Sequence, residues 1–349
     1  MKKKILYGVL TLIVIVVTLW FLGKLFTPKY MSGVIEGAFL EEYYYDEEGY
    51  DEKDHDVIFL GDCEVYGNFD PMVLWQEYGI NAYIRGTPQQ LTWQSYYILE
   101  DTLRYETPDV VVYTVSPLKH GEPQSEAYNR MSLDGLEWST SKWNAIQVSM
   151  LEEESILDYI FPILRYHSRW NELEADDFTY LFDTELVSQN GYLLRVDVNP
   201  VISIPDAPIL ADYELPEESM EYLDKITELC KENDIELVLI KAPSVYPYWY
   251  EEWDEQVLAF AEENDVAYIN FIDLVDEIGI DYDTDTYDTG LHLNLYGAEK
   301  LTSYLGNYLV EEYGLENRQS DETLSALWEI KYARYLEEIE EQKELYGIE

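Results

Sequence analysis

At 349 residues, 47% of them hydrophobic, the chain is long enough to bury a core as one large or two modest domains. It carries 22 basic against 71 acidic side chains, a formal net charge of −49. Such a balance excludes binding to nucleic-acid phosphates through a basic surface and favours solubility at some cost in self-repulsion.

The first 30 residues run against that balance, with five lysines and no acid. Met1-Lys2-Lys3-Lys4 precedes an uncharged run at 5–23 dominated by Leu, Val and Ile, and about 20 such residues cross the hydrocarbon core of a bilayer. No small-x-small cleavage site follows in Lys24-Leu25-Phe26-Thr27-Pro28-Lys29, which favours an uncleaved anchor over a signal peptide. The leading lysines predict an inside amino terminus, with the rest of the chain outside the cell membrane. Residues 31–56 follow, ending in the acid- and tyrosine-rich EEYYYDEEGYDEKDHD at 41–56. This stretch has no apolar period and reads as a solvated spacer, a cation site being the alternative.

Val57-Ile58-Phe59-Leu60 is a short apolar run ending at Gly61-Asp62-Cys63, the pattern of a buried strand that stops in a sharp turn. Asp70-Pro71 suits a helix start, with a short amphipathic piece at 72–78. Strands are predicted at 81–86, 109–115, 236–243 and 267–271, alternating with helices at 89–105, 218–233 and 249–264. That alternation argues for a parallel sheet covered on both faces. Residues 116–216 show no βα repeat, and their Trp, Tyr and His content predicts a partly helical insertion over the strand ends. Residues 316–349 read as a charged helix, packed on the body or extended from it. Cys230, in mid-helix, reads as core, and two cysteines so far apart do not indicate a disulfide framework.

Two blocks carry a resemblance. Ile58-Phe59-Leu60-Gly61-Asp62-Cys63 resembles the first block of the SGNH/GDSL hydrolases, a hydrophobic strand followed by Gly-Asp-Ser. Asp288-Thr289-Gly290-Leu291-His292-Leu293-Asn294-Leu295-Tyr296-Gly297-Ala298 resembles their last block, which carries the catalytic Asp and His ahead of a C-terminal helix. The family's serine is Cys63 here, and the interval from Asp288 to His292 is one residue longer than the usual Asp-x-x-His. The family's third block, Gly-x-Asn-Asp, is not visible after the third strand.

The resemblance implies an α/β three-layer sandwich with a central parallel sheet over 57–315, following an amino-terminal transmembrane helix, and it calls for no cofactor and no metal. It implies Cys63 as nucleophile, His292 as base and Asp288 as the orienting carboxylate, with Asp285 as a fallback. The Cys63 and Gly86 amides would face the oxyanion, with Asn129 standing in for the missing third-block donor. A cysteine attacks acyl carbonyls once its proton is removed, and an imidazole held by a carboxylate can take that proton and return it. An anchor joined to such a domain is similar to the envelope branch working beside membrane-bound O-acyltransferases, including D-alanyl-transfer and polysaccharide O-acetylation proteins. The activity implied is acyl transfer to or from hydroxyls of an envelope glycan or polymer; the alternative is an inactive binding or scaffold protein of that fold. His167-Ser168-Arg169-Trp170 and Lys241 read as structural ion-pair partners or as grips for a substrate carboxylate or phosphate.

Overall fold

The computed structural model describes residues 2–28, 30–31, 34–35, 38–45, 53–182 and 186–348. Much of the predicted spacer, including 46–52, lies outside the described residues.

One helix, α1 (Lys2–Phe26), is long and apolar enough to cross a membrane. The body is built on five strands: β1 (Val57–Gly61), β2 (Ala82–Gly86), β3 (Val110–Thr114), β4 (Glu236–Lys241) and β5 (Ala267–Asn270). They pair in the order β2-β1-β3-β4-β5, every neighbour parallel. In such an open sheet the strand order reverses between β1 and β3, and the crevice beyond their carboxyl ends is where ligands bind. Cys63 lies two residues beyond β1.

The unbroken apolar runs of β1, β3 and β4 follow from burial on both faces. Val57, Phe59, Val110, Val112, Val238 and Ile240 face one core, packed by α2 (Cys63–Asn68), α6 (Leu295–Tyr313) and α7 (Glu322–Tyr346). Ile58, Leu60, Val111, Tyr113, Leu237 and Leu239 face the other, under α3 (Thr92–Thr102), α4 (Glu217–Glu232) and α5 (Glu251–Asn264). The arrangement is the predicted three-layer α/β sandwich. Helix α7 packs on the body rather than projecting from it: Trp328 is fully buried and stacks on Trp75 with centroids 5.1 Å apart. The 72–78 piece is a helical turn, Pro71–Val73, running into a wider π turn at Leu74–Tyr78.

The described ends of the 41–56 stretch are solvated at Asp54 but bury Glu42, Tyr43 and His55, contrary to the expectation of a solvated spacer throughout. Tyr43 is fully buried; its hydroxyl donates to Glu106 (2.6 Å), and the Arg85 guanidinium sits 4.0 Å above its ring. Buried Glu42 accepts the Val187 and Ser188 amides, and burial raises its carboxyl to about 7. His55 is buried against Glu106, 2.9 Å away. A charge run reads as exposed because its composition does not reveal partners supplied from distant loops.

Candidate active site

Gly61 ends β1 at φ +135, a conformation that only glycine adopts readily, and a Cβ there would lie 2.1 Å from Thr114 Cγ2. The chain can therefore turn tightly over β3. Asp62 caps the turn, its Oδ1 accepting the Glu64 amide (3.0 Å) and its carbonyl accepting Val65 (3.2 Å). The Cys63 amide is not among these capping bonds. Cys63 opens α2 with a half-buried thiol. Gly86 pairs in register with Gly61, and a Cβ on it would lie 2.5 Å from Val65 Cγ2 and 3.1 Å from the Gly61 carbonyl. The Cys63 turn thus closes directly onto the end of β2.

The second block arrives from the other end of the chain. Thr289 and Gly290 both take positive φ (+64 and +92). Thr286 Oγ1 accepts the Gly290 amide and donates to the His292 carbonyl, each at 2.8 Å. The left-handed pair absorbs the extra residue of the Asp288–His292 interval. Asp288 Oδ2 lies 2.6 Å from His292 Nδ1, and Asp288 Oδ1 accepts the His292 amide at 2.8 Å. The carboxylate grips ring and backbone together.

Three contacts set the imidazole against α2. Asn68 Oδ1 accepts the Leu293 amide at 2.7 Å. The ring stacks between Tyr66 and Tyr287, at centroid distances of 6.4 and 5.8 Å. A Cβ on Gly67 would lie 3.0 Å from His292 Cδ2, so only a glycine lets the ring settle there undisturbed. His292 Nε2 is buried without a formed hydrogen bond among the described residues, and the imidazole as a whole lies close enough to Cys63 for the two groups to interact electrostatically. Catalytic contacts are often loose before substrate binds.

Burial pushes the Cys63 thiol up, opposed by the facing His292. Burial alone would lower His292, but Cys63 and the Asp288 hydrogen bond outweigh it and raise the imidazole to about 10. The arrangement favours a charged imidazolium beside the sulfur.

Directly behind Cys63 lies a buried ion pair: Lys241 is the ion-pair partner the sequence suggested, but Glu64 as its mate is not visible in the sequence. Lys241 Nζ lies 2.6 Å from Glu64 Oε1 and donates to Ser244 Oγ and the Ala242 carbonyl, each at 2.8 Å. Thr114 Oγ1 (2.8 Å) and the Ala242 amide (3.2 Å) donate to Glu64 Oε2. Burial pushes the Glu64 carboxyl up, but Lys241 and these donors outweigh it and hold it below its ordinary value. The network ties the residue after Cys63 to the ends of β3 and β4.

Other expected residues lie elsewhere or are otherwise engaged. Asn129 is buried on the insertion helix Glu126–Leu133, its Nδ2 donating to the Ser149 carbonyl (2.6 Å) and its Oδ1 accepting from Gln94 (3.1 Å). That commitment speaks against an oxyanion role. Asp285 pairs with Lys300 at 2.6 Å, so of the two carboxylates it is Asp288 that holds the ring. Lys241 is consumed by Glu64 and cannot grip a substrate. Arg169 donates to the Phe26 carbonyl (2.7 Å) and pairs with Asp177 (3.2 Å). Cys230 is core, as its helix position suggested, and burial raises its thiol to about 12.

No family model and no curated protein matches the chain. Among solved structures it is similar to a protein of the G-D-S-L lipolytic family from Desulfitobacterium hafniense DCB-2. That match has 14% identity and a TM-score of 0.34, over 72% of this chain and 97% of the other. It is also similar to a GDSL-like lipase from Bacteroides thetaiotaomicron VPI-5482, at 11% identity and a TM-score of 0.36, over 78% and 98% of the two chains. The fold assignment rests on strand order and register, independently of these superpositions.

Proposed function

We propose that this chain is a membrane-anchored, extracytoplasmic acyl esterase or O-acyltransferase of the SGNH type. Its substrates would be hydroxyls of an envelope glycan or polymer, and a membrane-bound O-acyltransferase would be a fitting acyl source. One observation carries the reading. Two segments more than 220 residues apart converge so that a carboxylate-held, buried imidazole faces a cysteine at the carboxyl end of β1.

In the proposed reaction the Cys63 thiol gives its proton to the His292 ring, and the thiolate so formed, stabilised by the imidazolium, attacks the acyl carbonyl and forms a C–S bond. The Cys63 amide, with Gly86 as its neighbour on β2, faces the oxyanion. As the ester C–O bond breaks, the imidazolium gives its proton to the leaving oxygen. Water or a glycan hydroxyl then loses a proton to His292 while attacking the thioester, which releases product and restores the thiolate–imidazolium pair. Asp288 holds the ring in place throughout. Burial of Leu25 and the seating of Gly23 against Pro162 support an anchor retained with the domain.

The test treats the full chain in detergent with an activated acetyl ester and follows acetyl on Cys63 by mass spectrometry. The expected result is an adduct that turns over and disappears in Cys63→Ala and His292→Ala. The raised thiol and the engaged Asn129 favour a second reading, a non-catalytic glycan-binding protein. That reading prevails if wild type forms no adduct while Cys63→Ser gains turnover.

A further inference from the structure

Helix α1 has 25 residues, whereas about 20 suffice to span a hydrocarbon core of roughly 30 Å. Counting from Ile5, the span reaches the outer boundary near Lys24, and Trp20 falls where aromatic belts sit. Whatever packs on the final turn of α1 is therefore held at the depth of the lipid headgroups. The insertion does so. A Cβ on Gly23 would lie 3.2 Å from Pro162 Cδ, and Arg169 Nη1 donates to the Phe26 carbonyl at 2.7 Å. Helices Ile163–Tyr166 and Ala175–Thr179 and the turn His167–Asn171 all contact α1.

This same segment exposes large apolar side chains. Trp170 is 73% and Phe182 86% accessible, and Leu157, Leu164 and Phe178 are also exposed. Exposed large apolar side chains gathered in one short segment mark an interaction site. Residues 156–171 contain Arg165 and Arg169 but a single acid, Asp158, whereas 172–182 carry four acids and no base, in a chain whose net charge is −49. A body so acidic is repelled by anionic lipid, so close approach to a bilayer has to come from the exposed apolar side chains and from the depth at which α1 holds them, with Arg165 and Arg169 confined to the first part of the segment.

From this depth and this exposed apolar surface we infer that residues 156–182 form an interfacial platform seated in the outer leaflet around the exit of α1, with lipid as the occupant of their exposed apolar side chains. The platform fixes how the catalytic domain stands on the membrane. The inference rests on the reading of α1 as a retained anchor.

The experiment uses the full chain in phospholipid nanodiscs, with Cys63 and Cys230 replaced by alanine and single cysteines placed by Trp170→Cys, Phe182→Cys, Val14→Cys or Leu345→Cys. Each is labelled with a polarity-sensitive fluorophore and challenged with lipids carrying a nitroxide either near the headgroup or deep in the acyl chain. Labels at 170 and 182 are expected to shift to the blue and to lose most fluorescence to the shallow nitroxide. The label at 14 should respond to the deep nitroxide and that at 345 to neither. If 14 is quenched while 170 and 182 behave like 345, the platform is overturned and the anchor stands. A blue shift at 170 and 182 without quenching by either lipid indicates a protein contact and also overturns it. If 14 itself is not quenched, the anchor reading falls and takes the platform with it.

Discussion

The Glu64–Lys241 pair offers the sharpest test of how the nucleophile turn is held. Both side chains are almost fully buried, and Lys241 is the only cation hydrogen-bonded to Glu64 among the described residues. Lys241→Met leaves the carboxylate stranded, with Thr114, Ser244 and the Ala242 amide as its remaining partners. Stranding one member of a buried pair costs about 3–5 kcal/mol. The surviving donors put this case at the lower end, about 3 kcal/mol, or on the order of 6 °C in the unfolding midpoint of a domain this large. Lys241→Met/Glu64→Gln removes the stranded charge and should recover more than half of the loss.

The pH dependence has a defined sign. In wild type the Glu64 carboxyl lies below its ordinary value, so its stabilisation is present above about pH 4.3 and is lost as pH falls through the depressed folded value. In Lys241→Met burial is no longer outweighed and the carboxyl rises. The deficit then grows as pH climbs from about 4.3 through that raised value, small near pH 4 and full at neutrality. The Glu64 charge also pushes the Cys63 thiol up, so iodoacetamide should alkylate Cys63 more slowly in Lys241→Met and faster in Glu64→Gln at the same pH. Thermal unfolding of the full chain in detergent and alkylation followed by mass spectrometry read the two effects. A loss under about 1 kcal/mol, or a double variant as unstable as Lys241→Met, would refute the stranded-charge argument.

Two further outcomes test the site. In Asp288→Asn the imidazole loses its carboxylate and should fall well below about 10. Because His292 is raised in the folded state, its stabilisation is complete below about pH 6.5 and fades as pH rises toward 10. Midpoints measured at pH 6 and pH 10 should therefore converge between wild type and variant at the alkaline end, and a constant gap would point elsewhere. Gly67→Ala places a methyl 3.0 Å from His292 Cδ2, forcing the ring to shift by a few tenths of an ångström. Thioester formation should drop by roughly 10- to 100-fold with a far smaller change in the unfolding midpoint. Unaltered acylation would show that the ring tolerates the displacement.

The parts of this molecule legible in sequence are those whose physics is local. The run at 57–60 announces a buried strand because both of its faces need apolar side chains, and β3 and β4 do the same. The turn at Gly61 and the cap at Asp62 are set within three residues. What stayed hidden depends on partners that chain order does not bring together. Glu64 meets Lys241 across 177 positions, and Gly67 owes its importance to a histidine 225 residues later. Glu42 and Tyr43, in a run that looks solvated, are buried by Arg85, Glu106 and the amides at 187 and 188.

Residue type and interval were also uneven guides to geometry. The Asp288–His292 interval departs from the family's spacing, yet two left-handed residues restore the pairing at 2.6 Å. Asn129 has the right side chain for an oxyanion donor, yet Ser149 and Gln94 hold it. A catalytic carboxylate and imidazole need only their terminal atoms to meet, and a flexible loop can deliver that from more than one spacing. An oxyanion donor must sit at one point in space with a hydrogen to spare, and that is set by the packing of the whole insertion. The charge-bearing half of such a site is therefore readable from a short motif, whereas the donor half has to be read from structure.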